Sequence, residues 1–409
     1  MTLPSAIAKP AGMSAPDPQA DWGLPGWVYH DPEFLAAEMA RVFRPSWQLV
    51  CHLADLPGAG DWMALDLPGL PMIVVRGEDG RVRGFANICR HRGSKVVDGA
   101  QGNARRLLCP YHAWAYGLDG RLLAVPDRAD YPALDVASHG LTSLEVEVWR
   151  GFVFVRAEDD GGSSVAQMMA PHEAEVGPYR LEELRPIGRV TIRPRKVNWK
   201  NIGDNYSDAL HIPVAHPGLT RLLGRSYRLE STPWVDRMVG EIVERPSSNW
   251  SERHYQRLLP ERADLPPEAR RRWLYLKLWP NAAFEIYPDQ VDFMQWLPTG
   301  PSTAVIREIA YALPDESREM RAARWLNWRI NRQVNAEDTV LIGRVQQGME
   351  SGLYQPGPLG ASETALRAFA GRMRARIPEA RLPAPPSPGW SVRHTAPAPS
   401  AVPATAAAA

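Results

Sequence analysis

Two stretches of this chain have the residue types and spacing of metal chemistry. In the first, Cys89-Arg90-His91 is followed after seventeen residues by Cys109-Pro110-Tyr111-His112. Paired cysteines and histidines in short spacings are metal-ligand arithmetic. Thiolates neutralise ferric iron, while imidazoles are neutral ligands that raise the potential of the iron they bind. The count therefore suits a 2Fe-2S cluster with two Cys on one iron and two His on the other. A structural Cys2His2 zinc site is the competing reading. Cys51 has no partner in this pattern and reads as a small buried hydrophobe.

The second stretch is NWKNIGDNYSDALHIPVAHP, Asn198 to Pro217. A helix from about Asn198 to Leu210 would put Asn201, Asp204, Asp208 and His211 on one face. Trp199, Ile202, Tyr206 and Leu210 would fall on the other. Ile212 and Pro213 are expected to stop it, and His216 follows five residues after His211. Two imidazoles around a Pro-broken turn can converge on one metal, and a carboxylate would complete a 2-His-1-carboxylate set with open positions for dioxygen. The helical segment NRQVNAEDTVLIGRVQQG, Asn331 to Gly348, is the best source of that acid and offers both Glu337 and Asp338. Neighbouring helical positions point about 100° apart, so one of the two faces the metal.

The elements that must position these residues fall into two units. Asp31-Pro32-Glu33 is a helix start, with apolar residues at helical spacing from Phe34 to Phe43 before Pro45. From Trp47 to about Arg156, short β-type runs (71–76, 82–88, 151–155) alternate with turns such as Glu78-Asp79-Gly80 and Asp119-Gly120. Gly161-Gly162-Ser163-Ser164 is the exit from this small all-β unit. A mixed region follows, with β-like runs at 282–287 and 291–297 and a long helical run from about Pro314 to Gly348. The two ends, 1–22 and 383–409, are Ala/Pro-rich and read as disordered tails.

Composition narrows the partners. The 409 residues exceed what one core usually supports, and 47 basic against 46 acidic residues give a net charge of +1. That balance offers no electrostatic case for nucleic acid or an anionic membrane. Three cysteines are too few for a disulfide framework, and no signal peptide or run of 18 apolar residues is present, so a soluble cytoplasmic protein is expected. No glycine-rich nucleotide motif follows a strand, so any electrons from NAD(P)H would have to come from another protein or domain.

At CRHRG (89–93) and CPYHAW (109–114) the chain resembles the Rieske family, which usually has Gly where Ala113 stands. With the Asn198–Pro217 stretch and AEDTVLIGRVQQGM the resemblance extends to the α subunits of Rieske non-haem iron oxygenases, over most of residues 25–380. It implies an α+β fold: a small all-β Rieske domain (47–158) inserted near the N-terminus of a larger catalytic domain (23–46 and 159–382), with an antiparallel sheet and helices of helix-grip type. Cys89 and Cys109 would hold one iron of a 2Fe-2S cluster and His91 and His112 the other. His211, His216 and Asp338 would bind a mononuclear Fe(II). Asp208 would be the catalytic acid linking a Rieske histidine to an iron histidine. From the residues themselves, Asn205 could hold that acid in place, and Asp204 could equally bond backbone near Gly203.

The resemblance further implies an NAD(P)H-dependent reductase, with a ferredoxin as optional intermediary, and a homotrimer in which that acid spans two subunits. LPGWVYHDPEF and RPSWQLVCH look closer to the branch with choline-, betaine- and carnitine-type monooxygenases and N-demethylases. Hydroxylation or N-demethylation of a small quaternary ammonium substrate is then the leading expectation. Alternatives are hydroxylation of an aromatic ring or acid, as in aromatic hydrocarbon catabolism, or a Rieske electron-transfer protein without oxygenase activity. Phe284, Tyr287, Phe293 and Trp296 are candidates for a pocket wall, and fifteen tryptophans permit an aromatic cage for a quaternary ammonium group.

Overall fold

Asp31 starts the first helix: its carboxylate accepts from the Phe34 N–H at 2.7 Å, and Pro32 occupies the first turn, where a missing N–H costs nothing. In the computed structural model, which describes residues 21–159, 161–315 and 317–393, this helix covers Pro32–Glu38. A π-turn, Met39–Phe43, continues it.

Ten strands follow: β1 (Gln48–His52), β2 (Asp61–Leu67), β3 (Leu70–Arg76), β4 (Val82–Ala86), β5 (Gln101–Asn103), β6 (Leu107–Leu108), β7 (Ala115–Tyr116), β8 (Leu122–Ala124), β9 (Ser143–Trp149) and β10 (Phe152–Arg156). Seven of them form one antiparallel sheet in the order β1-β10-β9-β4-β3-β2-β5, and β6-β7-β8 form a small second sheet. The two cysteine-histidine loops lie at the ends of β4 and β6.

The larger unit is built on an eight-stranded antiparallel sheet: β11 (Arg185–Pro186), β12 (Thr191–Arg195), β13 (Arg228–Ser231), β14 (Val235–Glu241), β15 (Arg272–Leu278), β16 (Ala282–Ile286), β17 (Val291–Gly300) and β18 (Thr303–Ala312). Its order is β11-β18-β17-β16-β15-β14-β13, with β12 also on β18. The two units share one apolar core. Phe152 of β10 lies 4.7 Å from Phe284 and 5.5 Å from Tyr311, ring to ring. Across the same seam Tyr311 donates to Asp55 at 2.6 Å. The α+β class and the order of the units agree with the expectation.

Two helices carry the second constellation, Trp199–Ser207 and the 33-residue helix Arg318–Glu350. The first lies on the sheet because Gly203 has no side chain: a Cβ there would stand 2.8 Å from the Trp296 indole nitrogen. Gln346 ties the two helices together. Its Oε1 accepts from the Asn198 N–H at 2.8 Å and from the Asn201 amide at 2.7 Å.

Three expectations need correction. The first of these helices ends at Ser207, not near Leu210, because Asp208 turns out of it and accepts the Leu210 N–H at 2.7 Å. Leu210 is accordingly exposed rather than part of an apolar face. Pro213 does not stop a helix but sits in the first turn of the next, Ile212–Ala215. Finally, residues 383–393 are not all tail: Trp390 is buried between Trp27 and Phe34, each about 6.3 Å away. Residues 1–20 and 394–409, the rest of the expected tails, lie outside the described residues. No described helix is long and apolar enough to cross a membrane.

Candidate metal centres and active site

The two Rieske-type loops are the same turn made twice. Gly93 N–H returns to the Cys89 carbonyl at 3.0 Å, and Ala113 N–H to the Cys109 carbonyl at 3.1 Å. Both turns need a left-handed residue: Gly93 has φ +74° and Ala113 φ +56°. The alanine that departs from the family pattern therefore keeps the loop geometry at a cost in backbone strain.

Both thiols are buried, and so are the Nδ1 atoms of His91 and His112, which have no hydrogen-bond partner. Two buried imidazole nitrogens left without partners beside two buried thiols are the fit a Cys2His2-ligated cluster requires. Further groups hold these donors in place. Trp114 stacks on His91 at 4.9 Å with 6° between planes, and the Tyr116 hydroxyl lies 3.3 Å from Cys89 Sγ. Burial would raise the Cys109 thiol, but hydrogen bonds from the Tyr111 and His112 N–H groups and from Cys89 and Ser94 outweigh it and hold it low.

At the second centre His211 and His216 point their Nε2 atoms at each other, 3.1 Å apart. Asp338 Oδ1 lies 2.9 Å from His216 Nε2 and 3.6 Å from His211 Nε2. These three donor atoms fall within 4.8 Å of one another and could hold one metal ion. Each imidazole is gripped from behind by a carboxylate: His211 Nδ1 by Asp208 at 3.2 Å and His216 Nδ1 by Glu337 at 2.7 Å. This is the carboxylate–histidine–metal arrangement that fixes the tautomer and ring orientation. Glu337 and Asp338 are thus both used, on opposite nitrogens of His216.

The local field favours a cation. Burial would lower His211, yet the Asp208 and Asp338 carboxylates raise it to about 9. Burial would raise Asp338, yet the two imidazoles hold it at about 2. Asn205 donates to Asp338 at 2.8 Å rather than holding Asp208 as expected, because the helix ends before Asp208 and leaves Asn205 facing the long helix. Asp204 bonds the Tyr29 hydroxyl at 2.6 Å, not the backbone.

The triad opens on a small chamber of about 100 Å³ adjoining an outer vestibule of about 730 Å³. Tyr206, Tyr227, Tyr275, Met294 and Glu285 wall the chamber. Glu285 accepts from the Tyr287 hydroxyl at 2.7 Å and from Tyr206 at 3.2 Å. Tyr275 stands directly opposite it on β15, and Asp292 on β17. Burial, reinforced by Glu308, raises Glu285 to about 7. The rings of the chamber are tyrosines, not the tryptophans the composition suggested. Phe284 and Phe293 do not face it; strand alternation turns them into the shared core, and Trp296 packs under Gly203.

Sequence reasoning missed three residues. Glu285 could have been found as the lone acid at alternating parity within an apolar strand. Gln346 could have been found eight residues after Asp338 on one helical face. Glu337 was seen only as a rival ligand, not as the partner of His216.

Two family models match: Rieske [2Fe-2S] domain over residues 46–149, and Ring hydroxylating alpha subunit (catalytic domain) over residues 181–379. The glycine betaine monooxygenase oxygenase subunit of Chromohalobacter salexigens is 28% identical over 381 residues, which is 83% of this chain and 82% of that one. The carnitine monooxygenase oxygenase subunit of Escherichia coli is 34% identical over 207 residues, 50% of this chain and 54% of that one. A solved quaternary ammonium Rieske monooxygenase shares the fold with TM-score 0.72 at 23% identity, over 87% of this chain and 96% of that one. A solved naphthalene 1,2-dioxygenase shares the fold as well, with TM-score 0.71 at 21% identity over 88% of this chain and 92% of that one, so the fold alone does not choose the substrate. The two sequence relatives above lend the expectation of aromatic hydrocarbon catabolism no support.

Proposed function

The chain belongs to the α subunits of the Rieske non-haem iron oxygenases, and from that premise we propose that it hydroxylates or N-demethylates a small quaternary ammonium compound. The observation that carries the substrate class is Glu285. A half-buried carboxylate beside the triad, among tyrosine faces and opposite a second acid, Asp292, has no cation of the described residues bonded to it. A trimethylammonium head supplies the missing positive charge and stacks on the rings.

His91, His112, Cys89 and Cys109 would hold the 2Fe-2S cluster, and His211, His216 and Asp338 the mononuclear iron. When bound, the first supplies electrons one at a time and the second supplies dioxygen activation. The chain's own residues do the positioning. Asp208 and Glu337 fix the two imidazoles, Asn205 fixes Asp338, and the tyrosine wall keeps water from the substrate head. Electrons come from an NAD(P)H-dependent reductase, with a ferredoxin as optional intermediary.

The resemblance supports a homotrimer in which Asp208 meets the partner's Rieske histidine. Its bond to His211, the more exposed iron-site imidazole at 18% against 2% for His216, suits that contact. The test is Asp208→Ala. With Fe(II) in excess to offset the weakened hold on His211, both metals should be bound, by metal analysis and by the visible Rieske spectrum, while formaldehyde or hydroxylated product from a quaternary ammonium panel collapses. Undiminished turnover removes Asp208 from electron transfer, and a panel yielding no product from any quaternary ammonium compound removes the substrate class.

A further inference from the structure

Arg195 closes β12 and lines both the chamber and the vestibule, sharing each with Glu285. Its Nε is buried without a hydrogen-bond partner, and its recorded hydrogen bond runs from Nη1 to the carbonyl of the adjacent Pro194 at 3.0 Å. No carboxylate of the described residues forms an ion pair with it. Its neighbour Arg193 differs, being paired with Glu308. A half-buried guanidinium whose Nε–Nη2 edge lacks an acceptor is a fork waiting for a planar anion, and carboxylate is the anion that fork fits best.

The chamber therefore has a negative site and a positive one at separate points of the same wall. Arg195 and Glu285 do not neutralise each other, since no ion pair forms between them. A substrate carrying a cationic head alone would satisfy Glu285 and leave Arg195 desolvated and unpaired. A substrate with charges at both ends satisfies both.

We propose that the substrate is a zwitterion, a trimethylammonium alkanoate whose carboxylate is bound by Arg195 while its cationic head lies against Glu285 and the tyrosines. This rests on the quaternary ammonium reading above and narrows it from amino alcohols and amino acids together to amino acids. Arg195 is thereby a specificity-determining residue that touches substrate at the end remote from the reacting methyl groups.

The test is equilibrium binding to the metal-loaded protein, using glycine betaine, carnitine, choline and tert-butylacetate. Choline keeps the cation without the carboxylate, and tert-butylacetate keeps the carboxylate without the cation. The wild type should bind the tighter of the two zwitterions at least roughly tenfold better than choline, as a charge-assisted fork implies. Arg195→Gln should bring that zwitterion to within about twofold of choline, with Arg195→Lys intermediate because an ammonium keeps the charge and loses the fork. Choline binding as tightly as both zwitterions in the wild type, or a preference that survives in Arg195→Gln, overturns the proposal and leaves the quaternary ammonium reading standing. Tert-butylacetate matching the zwitterions overturns both. Iron content and the Rieske spectrum report whether each variant is folded, and the wild-type comparison decides the matter if one is not.

Discussion

The assignment of Asp338 rather than Glu337 to the metal can be tested by exchanging their expected losses. Asp338 Oδ1 faces both Nε2 atoms, at 2.9 and 3.6 Å, whereas Glu337 reaches only Nδ1 of His216, at 2.7 Å, and shares its other oxygen with Gln333. Asp338→Ala removes one of three donors and the anionic one. Iron should fall from about three atoms per chain to about two, the two of the cluster, whose visible spectrum is the internal control. Glu337→Gln keeps an oxygen near His216 Nδ1 but removes the charge that makes the ring a better donor. Loss of such a partner costs about 10–100-fold in metal affinity, or about 1.4–2.7 kcal/mol. The variant should load iron in excess Fe(II) and lose it on dialysis, while Asp338→Ala fails to load at all. Titration of the iron-stripped proteins with Fe(II) separates the two behaviours. If Glu337→Gln cannot be loaded while Asp338→Ala retains a third iron, the inward carboxylate is Glu337 and the packing of the long helix against the histidines is wrong.

Other expectations follow from single contacts. Ala113 holds φ +56° in a turn that its counterpart makes with Gly93, so Ala113→Gly should relieve about 1–2 kcal/mol of left-handed strain against about 0.4–1 kcal/mol of added chain entropy. The transition followed by cluster absorbance should move up, and a downward shift would count against the turn. The Tyr116 hydroxyl donates to Cys89 Sγ at 3.3 Å while accepting the Arg90 N–H at 3.0 Å. Tyr116→Phe should lower the cluster potential by on the order of 40 mV for a bond of about 1 kcal/mol, read by redox titration; an unchanged potential refutes the bond. Burial and Glu308 raise Glu285 to about 7, opposed by bonds from Tyr287 and Tyr206 and the charge of Arg193. The ionised form attracts a cation, so choline affinity should rise with pH up to about 7 and level off above it, and Glu285→Gln should flatten that profile. For the ligand-free fold the sign is opposite: an acid raised from 4.5 to about 7 contributes stability that is lost as pH climbs through that window.

The chemistry of this chain was legible where it is local. Both cysteine-histidine loops place their donors within a few residues, and the turn that aligns them is short enough to be written in the same residues. The Asp31-Pro32 helix start was legible for the same reason, since cap and first turn adjoin in sequence. The helix end at Ser207 was not. Periodicity runs on through Leu210, and only the competing bond from Asp208 to the Leu210 N–H shows that the chain turns there. That turn is what frees Asp208 to sit behind His211 instead of beside it on a helix face.

What sequence could not supply is pairing across long separations. Asp338 meets His216 over 122 residues, and composition ranks it equally with Glu337; the packing angle of the long helix decides which acid faces inward. That angle is held from a distance. Gln346 fastens the Asn198 N–H, the Asn201 amide and, through its own amide, the Tyr29 carbonyl at 3.1 Å. Removing it leaves two buried donors without an acceptor, at about 1–3 kcal/mol each. Both stand on the helix that carries Asn205, whose amide steadies Asp338. Gln346→Ala should therefore weaken iron retention at the mononuclear centre while the cluster spectrum persists, although Gln346 touches no metal ligand. If iron binding is unaffected, apolar packing and the Asn205–Asp338 bond hold the two helices together without Gln346, and its polar fastening contributes nothing to the site.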